Sequence, residues 1–267
     1  MWKKINISLF FLLLLSCSFL ETGSSRNIRS IRIIRSIDTS FSPRDCCYSP
    51  LHNTVFVLEN ASNYIHIYSS TGEKNKIGGL GYGNTHFNRL TDITLSPDAN
   101  LLALDSFKKV IKKFDRQGSW IIDIELKNYA RPTFFSVSND GTYFIYDAQK
   151  KEIISTADFS SYYNFGKFQL TEPERINLVR DKLHIYERKG DKTLVFSTLG
   201  QFEEECSGNV QFLGGQALKL ERYYLSSQDG EDKFAINPNG WKDFIVEQGY
   251  IYLLAEDKVV IAEPVYE

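Results

Sequence analysis

The chain has 267 residues, with 31 Lys and Arg against 33 Asp and Glu and a formal net charge of −2. This length suits one large domain or two small ones. The charge balance argues against a nucleic-acid partner, because phosphate binding needs an excess of basic side chains on one face. The overall composition is that of an ordinary folded domain rather than a disordered chain.

The first residues have the pattern of an exported lipoprotein. Lys3 and Lys4 form a short positive region. The mainly apolar run 5–15 is too short to span a bilayer as a helix but suits a signal peptide. The run ends in Leu14-Leu15-Ser16-Cys17, which resembles the bacterial lipobox. This resemblance implies cleavage after residue 16 and lipidation of Cys17.

The chain is therefore expected to have three parts: a signal peptide (1–16), a lipidated Cys with a polar tether (17–27) and a folded domain (28–267). Such a protein is held to a membrane of the bacterial cell envelope by its lipid, with the outer membrane or the periplasmic face favoured. The alternative is an ordinary secretory signal that happens to contain a Cys. Without Lys3 and Lys4, 29 basic side chains remain against 33 acidic ones.

Three cysteines remain after Cys17, at positions 46, 47 and 206. Their spacing matches neither a disulfide framework nor a C-x-x-C motif. Small, buried apolar side chains are the simplest interpretation. A bridge from Cys206 to the adjacent pair Cys46–Cys47 is the alternative, although the two would lie in distant repeats.

Beyond residue 28, short apolar and β-branched runs alternate with turn residues, which predicts an all-β domain. A repeat of about forty residues organises these runs. One marker is an apolar or aromatic residue four positions before a Gly: Tyr68–Gly72, Phe114–Gly118, Phe196–Gly200 and Ile236–Gly240. A second marker is an acidic residue that ends an apolar run: Glu59, Asp105, Asp147, Glu187 and Glu256. These acidic side chains are expected to accept hydrogen bonds from turn amides.

Each repeat reads as one four-stranded sheet, and such a sheet cannot bury both of its faces alone. Packing six of them around an axis buries both faces and predicts a six-bladed β-propeller. The orphan strand Ile31–Ile37 is expected to complete the last blade as its outer strand and so to close the ring. The fifth repeat has no clear outer strand, which leaves open whether Trp241–Gln248 fills that place.

Residues 43–126 resemble NHL-repeat propellers. The resemblance rests on the Gly-rich turn 78–83, the strand entry at Asp92, the run Leu101–Ser106 and the run Val110–Gly118. It implies the propeller fold and says little about function. The glycines are not expected to bind phosphate, because a strand rather than a helix follows them.

Three carboxylates are candidates for a ligand or cation site. Asp45, Asp92 and Asp243 occupy matching places at the start of the first strand in the first, second and sixth repeats. A closed ring makes these repeats neighbours, so the carboxylates are expected to converge at the mouth of the central channel. They could ligate a hard cation such as Ca²⁺ or bind a cationic group of a ligand. The structural alternative is ion pairing with Arg44, Arg89 and Lys242.

The sequence assigns no catalytic residue. It contains neither a nucleophile elbow nor a Ser-His-Asp order, and its four His share no motif. We therefore expect a binding or scaffold lipoprotein that presents a propeller face to a protein or glycan partner. The alternative is a metal-dependent hydrolase or lyase that resembles propeller lactonases and uses the Asp cluster.

Overall fold

The computed structural model describes residues 28–213, 216–221, 224–227, 230, 232–235 and 240–266. These residues form 24 strands in six four-stranded sheets, and none of them lies in a helix. No described segment is therefore a helix of the length and hydrophobicity needed to cross a membrane. The prediction of an all-β, six-bladed propeller is confirmed.

The first three complete blades follow the N-terminal strand β1 (Ile28–Asp38) in the chain. Within each of them, the four strands are arranged in chain order from the channel outward. Blade 1 has β2 (Pro43–Ser49), β3 (Thr54–Glu59), β4 (Tyr64–Ser69) and β5 (Gly72–Gly78). Blade 2 has β6 (Leu90–Leu95), β7 (Leu101–Asp105), β8 (Val110–Phe114) and β9 (Trp120–Glu125). Blade 3 has β10 (Pro132–Val137), β11 (Tyr143–Asp147), β12 (Glu152–Thr156) and β13 (Tyr163–Phe165).

The remaining blades follow the same plan, except that the last one combines both ends of the domain. Blade 4 has β14 (Arg175–Val179), β15 (Lys182–Glu187), β16 (Lys192–Ser197) and β17 (Phe202–Ser207). Blade 5 has β18 (Val210–Leu213), β19 (Gln216–Leu220), β20 (Tyr224–Ser227) and β21 (Lys233–Ala235). Blade 6 has β22 (Asp243–Glu247), β23 (Tyr250–Leu254), β24 (Lys258–Tyr266) and then β1.

Two features of this topology bear on the sequence interpretation. In blade 6, β1 is antiparallel to β24, with Ile28 opposite Tyr266 and Asp38 opposite Lys258. In blade 5, the outer strand is β21, whereas most of the segment Trp241–Gln248 forms the innermost strand of blade 6. The suggestion that this segment completes blade 5 is therefore wrong. The strand β21 could not be recognised from the sequence, because it has only three residues and no apolar pattern.

Apolar side chains of neighbouring sheets form the core. Phe56 and Leu58 of blade 1 pack in one cluster with Leu90 and Ile93 of blade 2. Comparable clusters join blades 2 and 3, 3 and 4, 5 and 6, and 6 and 1. Because each sheet buries its faces against its neighbours, the hydrophobic free energy of one blade depends on the blades beside it.

Three of the five recurring acidic residues, Asp105, Asp147 and Glu187, accept hydrogen bonds from backbone N–H groups of the blade turns. The other two pair with basic side chains instead, Glu59 with His66 and Glu256 with Lys242. Asp105 is fully buried and accepts backbone hydrogen bonds from Asn88 (2.7 Å), Arg89 (3.2 Å), Phe107 (3.1 Å) and Lys108 (3.0 Å). Asp147 accepts the equivalent set in blade 3. In blades 2 and 3 these bonds tie the entry of the inner strand to the next turn of its sheet, which is the structural role expected from the repeat.

Candidate functional site at the channel mouth

The innermost strands of five blades bring one equivalent side chain each to the same end of the channel. In blades 1 to 4, the strand-pairing partner of this residue is the residue just before the acidic residue of the blade. In blade 6, the partner is Leu254, just before the turn Ala255–Asp257. The five equivalent residues are Asp45, Asp92, Phe134, Arg175 and Asp243. In blades 1, 2 and 3 the pairing register shifts just before this position, as in a β-bulge. Bulges re-aim the side chain that follows them, which turns these residues toward the mouth.

The three candidate carboxylates line one cavity of about 910 Å³ at this mouth, together with Phe134 and Arg175. We call this opening the aspartate mouth. Its three carboxylates do not form one cluster: Asp45 and Asp92 contact each other, whereas Asp243 belongs to a different set of hydrogen bonds. The mouth therefore holds two distinct carboxyl arrangements.

Asp45 and Asp92 form a carboxyl pair across the boundary between blades 1 and 2, joined by a side-chain hydrogen bond. Asp45 Oδ1 also accepts the Cys46 N–H (2.8 Å), and Asp92 Oδ2 accepts the Phe135 N–H (2.8 Å). Burial raises the pKa of both groups, and the charge of Asp45 raises that of Asp92 further. Two carboxylates this close cannot both ionise easily, so the pair retains one proton to a higher pH than an isolated Asp would.

Asp243 is neutralised by a basic residue from two blades away. Its Oδ2 accepts a hydrogen bond from the Arg175 guanidinium (2.8 Å), and its Oδ1 accepts Asn209 Nδ2 (3.1 Å) and the Phe244 N–H (2.8 Å). Arg175 also donates to the Phe244 carbonyl (3.1 Å). Burial alone would lower the pKa of Arg175, but the charge of Asp243 raises it above its ordinary value.

The structural alternative named the nearest basic residues in sequence as ion-pair partners of the three aspartates, and the ion pairs that form are different ones. Among the described residues, neither Arg44 nor Arg89 forms an ion pair, and Lys242 pairs with Glu256 instead. The charge of Arg44 nevertheless opposes the rise that burial causes in the pKa of Asp45 and Asp92. The partner of Asp243 is Arg175, which the sequence placed only roughly at the equivalent position of blade 4. Pairing across a ring depends on side-chain reach between strands that are far apart in sequence.

The sequence also missed a polar ladder that continues from Asp243 into the channel. Asn209 Oδ1 accepts Gln211 Nε2 (2.8 Å), and Gln211 Oε1 accepts Asn177 Nδ2 (2.6 Å). Gln211 and Asn177 are buried. Alternation along β14, and from Asn209 into β18, could have suggested these amides, because Asn177 is two residues beyond Arg175 and Gln211 is two beyond Asn209.

The described residues do not fit a calcium site at the aspartate mouth. Ca²⁺ takes six to eight oxygen ligands, whereas the Asp243 carboxylate is already bound to Arg175 and Asn209. Arg175 also brings positive charge to Asp45 and Asp92. Within the described ranges, no group of three or more His, Cys, Asp and Glu side chains could hold a metal ion.

The thiol groups of the described cysteines do not line this mouth. Cys46, Cys47 and Cys206 are buried, and the bridge from Cys206 to the adjacent pair that was considered from the sequence is not formed. Burial raises the pKa of the Cys46 and Cys47 thiols well above its ordinary value, which keeps them unreactive. Cys17, the proposed lipid attachment site, lies outside the described residues.

Comparisons with known proteins support the class of fold. No protein-family model and no curated protein matches the sequence. Among solved structures, a gluconolactonase from Xanthomonas campestris is similar over 90% of this chain and 96% of its own, with 10% identity and a TM-score of 0.62. Virginiamycin B lyase from Staphylococcus aureus is similar over 88% of this chain and 100% of its own, with 12% identity and a TM-score of 0.56.

A chain of a nidogen/laminin complex is similar over 62% of this chain and 63% of its own, with 12% identity and a TM-score of 0.51. At these identities the likeness concerns the fold alone. The chain is a six-bladed β-propeller, and propellers of this shape occur both in enzymes and in a complex between proteins. The NHL resemblance of residues 43–126 stays a prediction.

Proposed function

We propose that this propeller is a hydrolase of small cyclic esters whose reaction takes place at the aspartate mouth. The observation that carries the proposal is the Asp45–Asp92 carboxyl pair, which lines an open cavity of about 910 Å³. Titratable groups whose environment shifts their pKa and which face a cleft are characteristic of active sites. The likeness in fold to a gluconolactonase and a lyase suggests this class of reaction.

The pair supplies an acid and a base from one shared proton. The ionised carboxylate takes a proton from water as the water oxygen bonds to the lactone carbonyl carbon. The ring C–O bond then breaks, and the protonated carboxyl donates its proton to the leaving alkoxide. The pair ends with one proton, as it began. The positive charge of Arg175 stabilises the negative charge that develops in between.

The experiment measures hydrolysis of glucono-δ-lactone and ε-caprolactone against the spontaneous rate, with and without added Ca²⁺. We expect Asp45→Asn and Asp92→Asn each to lower the catalysed rate by about 10²–10⁴-fold. Asp98→Asn serves as the matched control, because Asp98 lies outside the cavity and pairs with Lys113 at 2.7 Å. A wild-type rate equal to the spontaneous one on both lactones, or unchanged rates in both variants, contradicts the proposal.

A second candidate is the role of a binding module for a protein or glycan partner. It rests on the outer strand of blade 2, where Trp120, Ile121 and Ile122 are exposed although they are large and apolar. Exposed apolar side chains on an edge strand are typical of partner-binding surfaces. Capture of one partner by the wild-type domain but not by Ile122→Lys would favour this role.

We also propose that the propeller is anchored to a bacterial envelope membrane by lipid on Cys17. The support is the sequence alone: the positive start, the apolar run 5–15 and the lipobox-like Leu14–Cys17. An anchored propeller would act on molecules, or bind partners, within the envelope or at its surface.

A further inference from the structure

The opposite end of the channel has a different character. The six innermost strands end in residues that occupy one equivalent position, each paired with the first residue of the next strand. These residues are Ser49, Leu95, Val137, Val179, Leu213 and Glu247. Four of the six are apolar, and only Glu247 carries a charge. We call this opening the glutamate mouth.

Glu247 and the four apolar residues line a second cavity, of about 1020 Å³. Thr94 Oγ1 donates a hydrogen bond to Glu247 Oε1. No described basic side chain forms an ion pair with Glu247. The other described charges that line this cavity are Asp140, Asp181 and Arg180. The acidic groups outnumber the single basic one, so the cavity favours positive charge.

A carboxylate against an apolar wall is costly unless a cation compensates it. We propose that the glutamate mouth binds an organic cation, an ammonium or guanidinium group attached to an apolar body. The charged group binds Glu247, and the apolar body packs against Leu95, Val137 and Leu213. This site is a separate opening, because Asp243 and Glu247 lie at opposite ends of β22, but the charges of Asp45 and Arg175 in the aspartate mouth also act on Glu247.

The donor set distinguishes this ligand class from two others. A metal ion would need several oxygen ligands, whereas the ring of equivalent positions offers one carboxylate among apolar side chains. An anion would be repelled by Glu247, Asp140 and Asp181, and only Arg180 among the charged lining residues would attract it. An amine with an apolar body matches both the charge and the apolar collar.

The test compares three probes of equal size by calorimetry at about pH 8, where Glu247 is ionised. Benzylamine carries the cation, benzyl alcohol is neutral and benzoate is anionic. We expect benzylamine to bind the wild-type protein at least about tenfold more tightly than the other two. This comparison needs no variant, so it stands even if a substitution impairs folding. Equal affinities for the three probes, or no binding of benzylamine, overturn the proposal.

Variants then locate the site. Glu247→Gln should weaken benzylamine binding by about tenfold or more, whereas Glu125→Gln, at an exposed carboxylate outside both cavities, should leave it unchanged. Asp92→Asn should weaken it much less than Glu247→Gln does, because Asp92 belongs to the other opening and affects Glu247 only through the charge of Asp45. Benzylamine binding that survives Glu247→Gln, or that is lost in Asp92→Asn, contradicts the assignment.

Discussion

The side chains of Asp45 and Asp92 are hydrogen-bonded to each other across the boundary between two blades. Each carboxyl is also fixed by a backbone N–H, from Cys46 for Asp45 and from Phe135 for Asp92, both at 2.8 Å. The pair is therefore held by three separate inner strands, β2, β6 and β10. A proton-sharing pair that is positioned so firmly at an open cavity needs little rearrangement before it can transfer a proton.

The turn carboxylates are expected to be essential for folding. Asp105→Ala removes the acceptor of several backbone N–H groups and leaves them without this hydrogen bond. The substitution should therefore lower the free energy of unfolding by about 2–4 kcal/mol. Thermal denaturation should show a melting temperature lower by more than about 5 °C. Glu125→Ala is the control, because Glu125 is an exposed carboxylate of the same blade whose ion-pair partner, Lys127, is also exposed. A loss of less than about 2 °C for Asp105→Ala would argue against the structural role.

The contrast between Asp105 and Arg175 shows what the sequence reveals. An acidic residue recurs at the place of Asp105 in five of the six repeats, so both the blade position of Asp105 and its role as an acceptor of turn amides could be predicted. The equivalence of Asp45, Asp92 and Asp243 could be predicted for the same reason. The pairing of Arg175 with Asp243 could not, because it joins blades 4 and 6 across the channel. Side-chain reach across a ring leaves no periodic signal in the chain.

Strand β1 is expected to contribute to the stability of the whole ring. A chain that starts at Thr39 would leave the edge of β24 unpaired and remove the buried side chains of Ile28 and Ile37. Its melting temperature should fall by more than about 5 °C relative to a chain that starts at Ile28. Melting within about 2 °C of that control would mean that β1 does not close the ring.

Glu247 is expected to make stability depend on pH. Burial, together with the charge of Asp45, raises its pKa from 4.5 to about 7, whereas the hydrogen bond from Thr94 and the charge of Arg175 oppose the rise. The protonated form favours the folded state, so the wild type loses this stability as pH rises from about 4.5 through 7. Glu247→Gln stays neutral throughout, so its stability relative to wild type should increase by about 1–3 kcal/mol over that range and level off above it.

Denaturant titrations at several pH values measure this difference. Among the titratable groups near Glu247, burial raises the pKa of Cys46, Cys47 and Tyr252 well above its ordinary value, so these three do not ionise in this range. Asp45 also acts on Glu247, but it titrates in the wild type and in Glu247→Gln alike. A difference that is constant between about pH 4.5 and 8, or that is largest at low pH, would contradict the environment assigned to Glu247.

Lipid attachment is expected at Cys17 alone. Labelled palmitate should be incorporated into the wild type and into Cys206→Ala, since Cys206 is buried. Incorporation should be lost in Cys17→Ala, and the protein should leave the membrane fraction. Unchanged labelling of Cys17→Ala would show that residues 1–27 do not carry the anchor.

Carbon-13 NMR titration of the Asp carboxyl groups tests the central claim most directly, because it follows the shared proton itself. In the wild type, one proton of the Asp45–Asp92 pair should be lost well above the ordinary Asp pKa of about 3.9. Asp45→Asn should lower the pKa of Asp92, because the charge of Asp45 is one cause of its rise. If both carboxyls titrate as ordinary Asp residues, and neither responds to loss of the other, the pair shares no proton and the proposed acid–base site is wrong.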